Sequence, residues 1–387
     1  MFAKRTTWNL TRNRYTDALD RYRAGGRPLI DLTASNPTDI GLQYETERIL
    51  RALANPQALA YEPAPQGLPS ARQAVSRYYQ GKGVAVPPER ILLTVSTSEA
   101  YSYCFRLLCD PGDEVLVPQP SYPLFEFLAD LQDVKLKPYE LIYDHGWQID
   151  FHSLECALCA STRAVLVVHP NNPTGSFVKP EEKDLLSRIC SERDLAIIAD
   201  EVFLDYSFRS GPPVSFAGNH QALTFTLSGL SKISGLPQMK AAWMTVSGPA
   251  QLASAALARL EVIADTYLSM NAPTQWALPE LLASRQGIQN QLQSRLAANL
   301  AELDRQLQAQ KLCSRLEVEG GWYAVLRAPV TRSDEDLAIE LLDCEGVLVQ
   351  PGHFYDFAAE GYAIISLITP PDVFSEGIRR FLSFLDA

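Results

Sequence analysis

Between residues 91 and 246, short runs of apolar sequence alternate with longer stretches whose apolar residues recur at helical spacing, and few folds accommodate that alternation. A run that stays apolar at nearly every position is a strand buried on both faces, and such strands belong to parallel sheets covered by crossover helices. Strands are expected over 91–95, 114–117, 134–139, 164–169, 196–199, 222–227 and 241–246, with helices over 99–109, 123–131, 151–159 and 181–192. The fold class is therefore α/β, a doubly wound and mostly parallel seven-stranded sheet.

The flanks differ. Residues 15–26 read as an amphipathic helix and 28–33 as a strand ending in the loop Ser35-Asn36-Pro37-Thr38-Asp39. A Pro/Gly-rich loop over 61–69 precedes a helix over 70–80, which aligns Ala71, Ala74, Val75 and Tyr78 on one face. Past Pro249 helical segments follow one another, the longest over about 274–310. Strands over 316–319, 322–327, 347–349 and 363–367, with helices over 334–344 and 372–385, then form a smaller α+β domain. At 387 residues the chain exceeds the size at which one core stops growing. The division expected is 1–45 as an N-terminal arm and part of the small domain, 46–285 as the large domain, and 286–387 as the small C-terminal domain.

A net charge of −11 has the wrong sign for a nucleic-acid or anionic-membrane partner. No apolar run is long enough to span a bilayer, and the first residues lack the apolar segment of a signal peptide, so a cytoplasmic location is expected. The seven cysteines are scattered, with Cys156-Ala157-Leu158-Cys159 the one close pair. No further ligands stand near it at zinc-site spacing, so no metal is expected and the thiols are read as reduced and structural.

Ligands in such sheets sit at the carboxyl ends of strands. Lys232, in the turn Ser228-Gly229-Leu230-Ser231-Lys232 that follows an apolar run, is a candidate imine-forming amine, since an apolar pocket lowers a lysine's pKa and leaves it nucleophilic. Ser96-Thr97-Ser98-Glu99 opens a helix with hydroxyls and backbone amides, which suits a phosphate and equally suits a capping box. Pro118-Gln119-Pro120-Ser121-Tyr122-Pro123 offers an aromatic face, and Asn171-Asn172-Pro173-Thr174-Gly175 packs more turn residues together than a plain turn needs. Asp200 ends an apolar strand, where burial penalises a carboxylate without a cationic partner. A ring-protonated pyridine is such a partner.

Four motifs stand in the order found in one family: 61–67, Asn172-Pro173-Thr174-Gly175, Asp200-Glu201-Val202 and Ser231-Lys232. With them the chain, from about residue 28 to its end, resembles a fold type I pyridoxal-phosphate enzyme of the class I/II aminotransferase group. The resemblance implies a pyridoxal 5'-phosphate cofactor held by Lys232 as a Schiff base, with Lys232 also shuttling the substrate proton in a ping-pong cycle between amino donor and keto acceptor. It implies that Asp200 keeps the pyridine nitrogen protonated, that Asn172 donates to the phenolic oxygen and that Tyr122 stacks on the ring. Ser96, Thr97, Ser98 and Ser231 would cradle the phosphate. Tyr61 resembles the tyrosine that reaches the phosphate from a neighbouring subunit, so a homodimer with shared sites is implied.

Departures from the family pattern are specific. Phe203 stands where a tyrosine usually donates to the phenolic oxygen, with Tyr206 as a potential substitute, and Gly229 stands where a phosphate-binding serine is common. Lys240 replaces an arginine that forks the phosphate, giving a point charge without bidentate geometry. Ile364 stands where the arginine for the substrate carboxylate belongs, which leaves Lys240, Asn36 or His353 to grip it, or a substrate held differently. The same scaffold hosts carbon–sulfur and other β/γ lyases, the alternative reading. A cofactor-binding regulator without turnover is the remoter one, disfavoured by the acidic charge and the lack of a helix-turn-helix pattern.

Overall fold

The computed structural model describes residues 1–123, 125–211 and 213–386. After β1 (Ile30–Asp31), the large sheet is built from β2 (Ile91–Thr94), β3 (Glu114–Gln119), β4 (Lys135–Tyr143), β5 (Trp147–Ile149), β6 (Thr162–Val168), β7 (Ala196–Asp200), β8 (Thr224–Gly229) and β9 (Ala242–Ser247). Their spatial order is β2-β9-β8-β7-β6-β3-β4-β5. The strands from β8 through β4 pair in parallel, whereas β9 runs antiparallel to both β2 and β8.

Alternate residues of the central strands point into two separate apolar layers, as near-continuous apolar runs require. Ala164, Leu166, Val168 and Ile198 pack with Tyr101 and Phe105 of helix Thr97–Leu108 and with Leu260 of helix Ala250–Tyr267. Val165, Val167, Ile197 and Ala199 pack instead with Leu186 and Ile189 of helix Pro180–Glu192. Burying both faces is what makes these strands legible as unbroken apolar sequence. From β3 the chain moves outward to β4, and from β6 it moves the other way to β7 and β8, so direction reverses between β3 and β6. In a sheet of this kind the place for a ligand is beyond the carboxyl ends, at such a reversal.

The remaining strands are β10 (Ser314–Arg315), β11 (Tyr323–Arg327), β12 (Val347–Leu348), β13 (Gln350–Pro351) and β14 (Tyr362–Ser366). A four-stranded antiparallel sheet has the order β10-β11-β14-β13, and β1 pairs in parallel with β12. One apolar cluster joins Tyr15, Leu32 and Ile40 to Leu292, Val325, Ile364 and Phe381, so the start of the chain folds into the core made by its end.

All seven strands expected in the large sheet are present, and β5 adds an eighth. It pairs antiparallel to β4 across a turn in which His145 and Gly146 take positive φ, and three residues are too few to show alternation. The long helical segment expected over 274–310 is two helices, Ala272–Ala283 and Arg285–Leu307, broken at Ser284. Residues 316–319 form no strand. Leu316 N–H still bonds Val325, but Glu319 leaves the sheet to bond Gly175 and Phe208 through its backbone.

Candidate active site

β8 ends at Gly229 and continues into the single turn Leu230–Ile233, whose Leu230 and Ile233 are buried and so swing Lys232 toward the space beyond the carboxyl ends. A Cβ on Gly229 would lie 2.9 Å from that of Ala242, so close packing against β9 accounts for glycine where a phosphate-binding serine is common. The Tyr206 hydroxyl donates to the Lys232 carbonyl at 2.6 Å and fixes the turn. Lys232 Nζ lies 3.4 Å from the Ser35 carbonyl, 4.6 Å from the centre of the Trp322 ring and 5.4 Å from that of Phe203. Desolvation brings its pKa down to about 8, with the charge of Asp200 acting the other way.

Asp200, at the tip of the neighbouring strand β7, is buried. Its Oδ1 accepts from Val202 N–H at 3.0 Å, and its Oδ2 from the Tyr101 hydroxyl at 2.8 Å. Burial raises its pKa, while those two donors and the charge of Lys232 hold it down. No ion pair within 4.0 Å engages it among the described residues.

Beyond β6, Asn171 organises the turn: its Oδ1 accepts from the Thr174 hydroxyl at 2.9 Å, and its backbone bonds Ser176 and Gly175. Gly175 has φ +71, and a Cβ there would lie 2.5 Å from the Gly320 carbonyl, so the density of turn residues serves a close approach. Asn172 is buried beside it, and its Oδ1 has no partner among the described residues. His169 lies below the site as a neutral core group, its pKa lowered to about 3 by burial between Phe177 and Phe216.

Ser96 is the N-cap of helix Thr97–Leu108: its hydroxyl accepts from Glu99 N–H at 3.1 Å, and Glu99 reaches back to Val95 N–H at 2.9 Å. The capping reading therefore holds for the Ser96 oxygen, which keeps its own O–H to donate. Thr97 and Ser98 are half-buried at the same helix end, as is Ser231 across from it. Lys240 is exposed, with φ 49 at the end of the short turn Pro237–Met239. Tyr61 is 82% exposed. Tyr122 is 42% exposed and meets Phe125 edge-on.

The other wall is apolar. Phe203 is buried against Trp322 and Tyr323, and the hydroxyl of Tyr206 is committed to Lys232, so neither offers a phenol at the position Phe203 vacates. Ile364 is fully buried in the same cluster. The amide of Asn36 caps the turn Pro37–Asp39 and bonds Thr38 and Asp39. His353 is exposed in the turn Gly352–Tyr355, which reaches the site through the Tyr355 carbonyl and Ser121 N–H. Sequence reasoning missed Tyr101, Trp322 and the Ser35 carbonyl, each of which reads as ordinary core or loop.

A family profile described as Aminotransferase class I and II matches residues 27–372. The chain belongs to that family. Glutamate-pyruvate aminotransferase AlaA of Haemophilus influenzae is 27% identical over 378 residues, covering 94% of this chain and 92% of that protein. Alanine aminotransferase of Mycobacterium tuberculosis is 29% identical over 365 residues, covering 91% and 83%. The structure of alanine aminotransferase from Pyrococcus furiosus shares the fold over 100% of both chains, with a TM-score of 0.88 at 23% identity. This aminotransferase is pyridoxal-phosphate dependent, as its family is.

The residues present fit that cofactor. A buried carboxylate with two neutral donors, the buried side chain of Asn172, a buried Ser121 hydroxyl without a partner among the described residues and a hydroxyl-rich helix end accompany a lysine of lowered pKa.

Proposed function

We propose that this aminotransferase moves an amino group from a small α-amino acid to a 2-oxo acid in the two half-reactions of a ping-pong cycle, with Lys232 as the covalent anchor and proton carrier. The names of the relatives supply the first compounds to try: alanine and glutamate as donors, pyruvate as acceptor. One observation carries the reading. Burial brings Lys232 to a pKa of about 8, which gives it a neutral, nucleophilic fraction near physiological pH, and the strand beside it ends in a buried carboxylate suited to a protonated ring nitrogen.

Bound pyridoxal phosphate supplies an electron sink conjugated to the substrate's amino carbon. Nζ of Lys232 takes the proton from that carbon and delivers it again on the other side of the transfer. Asp200 would hold a proton on the ring nitrogen, the Asn172 amide N–H would donate to the ring's phenolic oxygen, and Tyr122 would offer its face to the ring. Ser96, Thr97, Ser98, Ser231 and Lys240 bind the phosphate. Of the three groups expected at the substrate carboxylate, Asn36 is occupied as a cap and Lys240 is assigned to the phosphate, so the role passes to His353 at the mouth of the site.

The exposure of Tyr61, and of Leu59 beside it, supports a homodimer in which this loop completes the partner's phosphate site. Seven free thiols support a reducing, cytoplasmic setting, and no helix among the described residues is long and apolar enough to cross a membrane. The shared core of residues 15–42 with 288–381 supports a small domain made of 1–45 and 286–387, around a large domain of 46–285.

Ile364 favours one second reading, a lyase that does not grip its substrate by an arginine. A single assay separates the two. Each amino acid of a panel is incubated with the enzyme, with and without a 2-oxo acid, and ammonia and new amino acid are measured. New amino acid that depends on the acceptor supports transamination; ammonia released without any acceptor overturns it in favour of elimination.

A further inference from the structure

Helix Thr97–Leu108 begins with the hydroxyls read above as the phosphate cradle, and one turn further in it carries Tyr101. The Tyr101 hydroxyl is buried and donates to Asp200 Oδ2 at 2.8 Å. Burial and the neighbouring carboxylate push the phenol far above its ordinary pKa, so it keeps its proton and acts on Asp200 only as a donor. The ring is held edge-on to Phe125 at 5.3 Å and tilted against Phe105 at 6.2 Å, so the helix and its aromatic neighbours fix the place of the oxygen. With Val202 N–H on Oδ1, each carboxylate oxygen has one donor from the chain and lone pairs left for another.

We propose that Tyr101 is a positioning residue for the cofactor: it sets the plane of the Asp200 carboxylate toward the ring nitrogen, so that one helix places both the phosphate and, through Asp200, the opposite end of the ring. This rests on the reading in which Asp200 faces that nitrogen. A tyrosine that served only to fill the core between Phe105 and Phe125 would do as well without its hydroxyl.

The test is a double-mutant cycle on the full-length holoenzyme. Wild type, Tyr101→Phe, Asp200→Asn and the double variant are dialysed against graded pyridoxal phosphate across a range of pH, and bound cofactor is read from its absorbance. Loss of a hydrogen bond to a charged group corresponds to about a tenfold to hundredfold change in an equilibrium constant, and Tyr101→Phe should weaken cofactor binding to that degree. Removing a donor that holds the Asp200 pKa down lets the carboxylate protonate at higher pH, so the acid limb of binding should move upward in Tyr101→Phe. In the Asp200→Asn background the same substitution should cost less than about twofold, because the two effects act through one carboxylate. Equal losses in both backgrounds, or a wild-type acid limb in Tyr101→Phe, would overturn the proposal while leaving Asp200 in place. Wild-type binding by Asp200→Asn would instead overturn the reading on which it stands. If Tyr101→Phe fails to fold, Tyr101→His and Tyr101→Leu, one with a donor and one without, carry the same comparison.

Discussion

Two walls meet at Lys232, and they are built on opposite principles. The wall on the large sheet is polar and buried: Asp200, Tyr101, Asn172 and Ser121 lie at strand ends or on the first turns beyond them, and two of these groups have an atom with no partner among the described residues. The facing wall, of Phe203, Trp322 and the cluster that includes Ile364, is aromatic and aliphatic. A buried polar atom left unpaired costs about 1–3 kcal/mol, so the first wall accepts that cost in return for cofactor chemistry. On the second wall and its cluster, the buried side-chain atoms without a partner among the described residues are the ring nitrogens of Trp147 and Trp322. Substitutions on the polar wall should therefore remove function and spare the fold, whereas polar substitutions on the apolar wall should damage the fold first.

The sharpest break on the polar side is Lys232→Ala. It should lower kcat by about 10⁴-fold or more, at the upper end of what a proton-transferring side chain supplies. Borohydride treatment should add the mass of the reduced cofactor to wild type and leave the variant unmodified. Stability in the absence of cofactor should hold or rise, since the amine's charged form is disfavoured where it lies. Undiminished turnover or continued mass addition would place the chemistry on another amine.

On the apolar side the corresponding break is Ile364→Arg. Its sequence position invites the idea that arginine there restores an ordinary carboxylate grip, but Ile364 is fully buried among Val325, Tyr323 and Phe203. An uncompensated charge in such a place costs about 3–5 kcal/mol. Chemical denaturation should show that loss. A variant of wild-type stability that prefers a different donor would mean that the wall opens to the substrate.

What was legible in the sequence follows the same division. Lys232, Asp200 and the Asn172 turn stood out because each breaks an apolar run at the end of a strand, where a polar residue has few bland explanations. The large sheet stood out because its central strands are apolar on both faces, while β5 escaped because a three-residue edge strand has no pattern to show. Tyr101 and Trp322 were hidden for the opposite reason. An aromatic residue on the buried face of a helix, or before a core strand, looks the same whether its polar tip faces a carboxylate or its ring lies under an amine. Ser96 was ambiguous in sequence and serves as a cap in the fold.

A milder probe joins the two walls. Tyr206 packs on Trp322 at 5.3 Å and donates to the Lys232 carbonyl, so it belongs to the apolar wall and steadies the polar one. Tyr206→Phe keeps the ring and leaves that carbonyl with backbone donors from the end of the turn, Ser234 N–H and, at 3.4 Å, Gly235 N–H. A loss of about 1 kcal/mol in unfolding free energy is expected. A modest fall in kcat should accompany it as the lysine turn loosens. Unchanged kcat at that lowered stability would confine Tyr206 to the core.

The smallest effect is expected at the rim, where neither principle governs. Lys240 is exposed and takes its left-handed φ of 49 without a glycine, so its backbone cost is the same for any unbranched side chain. Lysine offers a phosphate one point charge, whereas arginine offers two parallel donors. Lys240→Arg should thus tighten cofactor binding by a few-fold, roughly the gain of part of one charged hydrogen bond at a solvated site, with little change in stability. Equilibrium dialysis at low and high salt is the check, because a phosphate contact loses strength as salt screens it. Tightening that fades with added salt places Lys240 at the phosphate. Affinity that is unchanged at both salt concentrations would move Lys240 off the phosphate and leave the helix end at Ser96, Thr97 and Ser98, with Ser231, to hold it alone.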